Sequence, residues 1–169
     1  MSDTAMHEFR PVGVDFADTA PARYVVEEDV TAPRQAVWEA FADAATWPQW
    51  FPHVEWVRYE GKMPPGVGTK RISMVAGCLH DETMVVWDEP RRWGYIINKA
   101  TQPLAKAQIE ITEFEDIPGG TRVRWILACD PLEGLLYLAG DEPFEKFLGR
   151  LFTETMRKLE AYLREKGKA

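Results

Sequence analysis

Residues 141–167 constrain this chain more than any other stretch. Phe144, Phe147, Leu148, Leu151, Phe152, Met156, Leu159, Tyr162 and Leu163 recur at steps of three and four. On a helix that spacing makes one wide apolar face. Asp141 stands where an N-cap is expected, and Pro143 falls in the first turn, where a missing N–H costs little. Glu142 and Glu145 sit near the positive end of the helix, Arg157, Lys158, Arg164 and Lys166 near the negative end, and Gly167 can stop it. A helix with so broad an apolar face must lie on a large apolar surface.

The upstream residues supply strands for that surface. Period-two runs bounded by turn residues predict seven strands, at 24–30, 54–59, 69–76, 79–87, 92–98, 105–114 and 121–129. Two short helices interrupt them after the first strand. One starts at Thr31-Ala32-Pro33 and turns Val37, Trp38 and Phe41 inward; the other covers 46–51. Most connections are hairpins, so the sheet is antiparallel. The expected fold class is α+β: a curved seven-stranded antiparallel sheet wrapped around one long C-terminal helix, with space left between them. Residues 1–22 read as a polar arm, either an added edge strand or loose. Residues 23–167 read as a single domain.

Composition narrows the function. Hydrophobic residues make up 46% of the 169, including seven Trp, eight Phe and five Tyr, enough for a real core or a core with a hole in it. The net charge of −7 disfavours nucleic acid, because phosphate binding needs a basic surface. No apolar run approaches ~20 residues, so no transmembrane segment is expected. Asp3, His7, Glu8, Arg10, Asp15 and Asp18 interrupt the first 22 residues, which therefore lack a signal-peptide core. The expected compartment is the cytosol, with Cys78 and Cys129 as reduced thiols. His7, His53 and His80 are scattered among only two cysteines, so no metal-ligand spacing is present. There is likewise no Gly-rich phosphate loop or nucleophile elbow, and no cofactor is expected.

The run Val30-Thr31-Ala32-Pro33-Arg34-Gln35-Ala36-Val37-Trp38, followed by Asp43 and Trp47-Pro48-Gln49-Trp50-Phe51-Pro52, resembles the opening of the START-like (SRPBCC) superfamily. That group includes polyketide cyclases/dehydrases, lipid-transport domains and birch-pollen-allergen-like proteins. Gly66-Val67-Gly68-Thr69, Asp88-Glu89-Pro90-Arg91-Arg92 before Tyr95, Gly119-Gly120-Thr121-Arg122-Val123 and the long final helix extend the likeness over about 23–165. The resemblance implies a helix-grip fold with a deep pocket for an apolar or aromatic small molecule. In some members of the group such a pocket cyclises a polyketide; in others it carries a ligand or serves a protein partner.

Strand alternation proposes the pocket wall. Trp93, Tyr95 and Ile97 share a face, as do Val123, Trp125 and Leu127, and both sets are expected to face the helix. Arg71, Ser73 and Val75 form one face of their strand. On 79–87, Glu82, Met84 and Val86 alternate with Thr83, Val85 and Trp87, and either face could be the inner one. Trp50 and Phe51 are placed near the mouth, Leu136 at the rim, and Phe144, Leu148 and Phe152 on the helix. An inward Arg71, Glu82 and Tyr95 would be the candidates for catalysis, as ligand polariser, proton carrier and hydroxyl donor; the plain alternative is a structural ion pair. His80 reads as a rim residue, and Cys78 as a turn thiol with no evident base beside it. Residues 131–140 are apolar and bracketed by glycines. They read as a gate hinged at Gly134 and Gly140, as a sticky surface for a homodimer or transient partner, or as a short helix closing the core. Three functions follow as expectations: binding of a hydrophobic small molecule (aromatic, polyketide-like, isoprenoid or lipid), cofactor-free cyclisation, aromatisation or dehydration, or a protein-interaction or quinone-chaperone role.

Overall fold

The computed structural model describes residues 5–169. Its strands are β1 (His7–Glu8), β2 (Ala22–Val30), β3 (Val54–Glu60), β4 (Lys70–Val75), β5 (Cys78–Asp88), β6 (Arg92–Ala100), β7 (Ala105–Ile117) and β8 (Gly120–Pro131). Its helices are α1 (Phe16–Thr19), α2 (Arg34–Ala42), α3 (Trp47–Trp50), α4 (Glu133–Leu136) and α5 (Phe144–Glu165). The sheet is antiparallel in the order β2-β8-β7-β6-β5-β4-β3 and curves around α5. No helix among the described residues is long and apolar enough to cross a membrane.

α5 buries Phe144, Leu148, Phe152, Met156, Leu159 and Leu163 along one stripe at steps of three and four, as its sequence requires. Its start differs from expectation. The residue flanking the first turn is Pro143, and no side chain caps it; Asp141 lies outside the helix. Thr31 does not cap α2 either. Its N–H donates to Glu160 Oε1 of α5 at 2.7 Å, tying the first helix to the last.

The eighth strand comes from the N-terminal arm, and neither sequence expectation describes it. β6 and β7 pair only where Arg92–Ile96 face Ile109–Glu113, and then part. The arm enters the gap. His7 and Glu8 pair with Ala100 and Lys99 of β6. The Phe9 N–H then donates to the Asn98 carbonyl at 2.8 Å and the Arg10 N–H to the Lys106 carbonyl at 2.7 Å. Phe9, 4% exposed, passes through to the inner core. Beyond it, Phe16 and Ala17 of α1 lie on the convex face over Ile109, Ile111, Ile126 and Ala128. The arm is thus an internal wedge and a cover. Residues 1–4 of it lie outside the described residues.

β5 resolves the ambiguity of its two apolar faces by using both. Cys78, Met84 and Trp87 belong to the inner core, whereas Val85 and Val86 belong to the outer cluster. A bulge between Met84 and Val86, opposite Tyr95 and Gly94, inserts the extra residue that switches the faces.

Phe9→Ala leaves a hole between two strands that do not pair with each other there. It should lower stability by about 3–5 kcal/mol in urea unfolding. A loss below about 1 kcal/mol would show that the wedge is dispensable.

Candidate functional site

Between α5 and the concave face of the sheet lies a cavity of about 430 Å³. Phe144, Leu148 and Phe152 of α5 form one apolar wall, and Trp93, Ile97, Trp125 and Leu127 form the other. Phe51 and Pro52 after α3, with Leu135 and Leu138 around the end of α4, frame the mouth.

The floor is polar because four strands turn hydrophilic residues inward in register. Arg71 and Ser73 of β4 pair with Glu82 and His80 of β5. Tyr95 of β6 pairs with Glu110 of β7, and Trp93 with Thr112. Arg71 and Glu82, each 2% exposed, form an ion pair through Nη1 and Oε2. Ser73 donates to the other Glu82 oxygen at 2.8 Å. The Arg71 guanidinium lies 4.5 Å from the Trp47 ring centre, 5.2 Å from Trp93 and 5.0 Å from Tyr95. Burial works against its charge, but Glu82 outweighs that and keeps it protonated.

Glu110 is the other carboxyl of the floor, half-buried where it meets the cavity. Gln108 Nε2 donates to Oε1 at 2.8 Å, Trp125 Nε1 donates to Oε2 at 3.0 Å, and the Tyr95 hydroxyl also stabilises its charged form. Burial nevertheless prevails and, helped by the Glu82 charge, holds Glu110 above the usual glutamate range. Burial likewise pushes Tyr95 far above 10.

Cys78 and His80 lie further along β5 on the same face, and both border the cavity. Cys78 is buried, not exposed in the turn; the β4–β5 turn residues are Ala76 and Gly77, both with positive φ. Nor is the cysteine without a base. The two side chains share the inner face of β5, and His80 favours the charged form of the thiol; the hydrogen-bond contact of the thiol as donor is with the Leu79 carbonyl at 3.9 Å, and none joins it to the imidazole. Burial pushes the thiol up, but His80, the Thr101 hydroxyl and the Gln102 backbone outweigh it, and the net shift is downward. Burial also disfavours the imidazolium of His80, yet Cys78, Glu82 and Glu110 hold its pKa above the ordinary value. His80 is 9% exposed and faces inward, so it is no rim residue.

Phe51, Arg71, Ser73, Glu82, Trp93, Tyr95, Ile97, Trp125, Phe144, Leu148 and Phe152 all border the cavity. Three residues assigned to it from sequence lie elsewhere. Trp50 is fully buried among Phe41, Trp47 and Phe51, with its indole N–H on the Thr46 hydroxyl at 2.9 Å. Met84 is 0% exposed in the core beyond the floor. Leu136, 44% exposed, points outward with Tyr137, while its neighbour Leu135 faces in. Gly134 is pressed on the Pro103 carbonyl, 2.7 Å from where a Cβ would stand, so a side chain there would clash. Sequence reasoning missed Glu110, Gln108 and Thr112. Their signal was the alternation of β7, which reads equally well as a solvent-facing polar stripe.

A family model described as polyketide cyclase/dehydrase and lipid transport matches residues 21–164. An uncharacterized protein of Mycobacterium tuberculosis is 30% identical over 124 residues, covering 73% of this chain and 74% of its own. A START superfamily protein from Mycobacterium smegmatis superposes with a TM-score of 0.66 at 13% identity, over 85% of this chain and 97% of that one. The crystal structure of Ara h 8.0201 superposes with a TM-score of 0.63 at 16% identity, over 85% and 98%.

Removing Glu82 alone strands a buried guanidinium. Glu82→Ala should cost about 3–5 kcal/mol in denaturant unfolding, while Arg71→Met with Glu82→Leu should recover most of it. A mild effect of the single change would mean the pair is not buried as described.

Proposed function

Because the chain belongs to the polyketide cyclase/dehydrase and lipid-transport family, whose fold binds hydrophobic ligands, we propose that it binds an apolar, partly aromatic small molecule bearing one carbonyl or hydroxyl. The observation that carries this reading is the contrast within one cavity. Its walls are aromatic and aliphatic, yet its floor holds polar atoms without partners, His80 Nδ1 and Gln108 Oε1. A volume of about 430 Å³ lies within the range of small-molecule sites. Burial of the ligand's apolar surface, at ~25 cal/mol per Å², supplies the affinity. The floor sets orientation, with the carbonyl towards Glu110 and Tyr95. The ligand enters past Phe51, Leu135 and Leu138.

A second reading is cofactor-free cyclisation or dehydration. One observation favours it: Glu110 is a carboxyl held above its usual pKa beside a tyrosine hydroxyl, the arrangement a proton-transfer site needs. In that reading Glu110 replaces Glu82 as proton carrier. Glu82 is paired with the Arg71 cation, whereas Glu110 is held by the neutral donors Gln108, Trp125 and Tyr95, so the ion pair serves as scaffold. The exposed Tyr137 and its neighbours in 131–140 are left to a surface role such as docking a partner.

Titration with 4-phenylbutan-2-one, followed by the fluorescence of Trp93 and Trp125, tests the binding reading. Protonated Glu110 can donate to the ketone, so affinity should be highest at low pH and fall as pH rises through the raised Glu110 pKa. Glu110→Gln, which always has a donor, should remove that dependence, and Leu148→Trp should abolish binding by filling the cavity. Undiminished binding by Leu148→Trp would place the ligand elsewhere.

A further inference from the structure

The mouth end of the floor carries a second reactive feature, apart from the Glu110–Tyr95 pair. Cys78 and His80 are two residues apart on one strand, so their side chains share the inner face, and both line the cavity. The Leu79 N–H donates to the Thr101 hydroxyl oxygen at 3.0 Å, leaving the Thr101 proton free to point at Cys78 Sγ, 3.7 Å away. His80 is itself more than nine-tenths buried, and its Nδ1 has no partner. A sulfur that accepts from a hydroxyl, and shares its face with a buried imidazole whose Nδ1 has no partner, is set up to exist as thiolate.

From this geometry we infer that Cys78 is a nucleophile that captures apolar α,β-unsaturated carbonyl compounds entering the cavity, with His80 as its proton partner. The inference rests on the cavity being a ligand site. His80 takes the thiol proton. The thiolate forms a bond from Sγ to the β-carbon, the alkene π pair moves to the carbonyl as an enolate, and the imidazolium returns the proton to the α-carbon. The product is a thioether, with no oxidant, reductant or leaving group. The downward shift of the thiol and the upward shift of the imidazole agree with this pairing. The other charged and titratable groups that border the same cavity are Glu82 on β5, Arg71 on β4, Tyr95 on β6, Glu110 on β7, His53 before β3, and Arg150 and Glu154 on α5. Cys129 is the internal control: burial pushes its thiol up to about 12, so it should stay inert.

The test is intact-mass and peptide mapping after exposure of the full chain to 4-phenylbut-3-en-2-one. The saturated 4-phenylbutan-2-one serves as a non-reactive ligand, and the variants' circular dichroism as a fold control. One adduct should form, on Cys78. It should disappear in Cys78→Ser and persist in Cys129→Ser. In His80→Gln the rate at pH 7 should fall by about tenfold, the factor for one unit of thiol pKa, and the pH profile should move upward. An adduct on Cys129, or a His80→Gln variant with unchanged rate and profile, would overturn the inference. So would the absence of any adduct while the saturated ketone still binds, which would leave the binding reading intact. If neither compound binds, both fall together.

Discussion

The structure turns on the ion pair of Arg71 and Glu82, buried at the centre of the concave face. Two charges removed from water require pairing, and their surroundings supply much of it, although the Arg71 Nε is buried without a hydrogen-bond partner. Ser73 takes the second carboxylate oxygen, and Trp47, Trp93 and Tyr95 present ring faces to the guanidinium. These aromatics also knit α2 and α3 to the sheet, through the contacts of Phe41 with Trp47, Trp50, Trp93 and Phe114. A sheet that carries charge in its middle has a polar surface facing α5, and the remaining space between them is the cavity.

A polar inner stripe is affordable only if the sheet finds apolar burial on its other side. The N-terminal arm provides that cover. On β7 the usual polarity is inverted: Ala107, Ile109 and Ile111 point outward and are buried with Phe16 and Ala17, while Gln108, Glu110 and Thr112 point to the cavity. Ile126 and Ala128 of β8 do the same. The wedge at Phe9 and the cover at Phe16 thus tie residues 7–20 to the polar lining on the opposite face. This links a segment outside the family match, which begins at residue 21, to the site within it.

Elements whose burial follows their own periodicity were legible in the sequence. The stripe of α5, the alternation of Trp93, Tyr95 and Ile97, and the short helices around Trp38 and Trp47 all reappear in the helix-grip fold. Where the sequence misled, a long-range contact had overridden a local rule. The arm looked polar because its few apolar residues are spent on a gap between strands distant in sequence. β5 looked two-faced because a bulge makes it so. Glu110 was not singled out because nothing local reveals that the apolar face of β7 is roofed by α1. Cys78 and His80 were seen singly, and only the strand geometry brings the thiol, the imidazole and Thr101 together.

The proposed function requires the inner stripe to be the floor of a ligand site rather than an unusually polar core. Intermolecular nuclear Overhauser contacts from bound 4-phenylbutan-2-one to side-chain protons of the protein distinguish the two. A ligand in the cavity should give contacts from the phenyl ring to Ile97, Leu127 and Leu148, and from the ketone methyl to Tyr95. Contacts confined to the exposed Leu136 and Leu138, or none to the inner-face residues at saturating ligand, would contradict it.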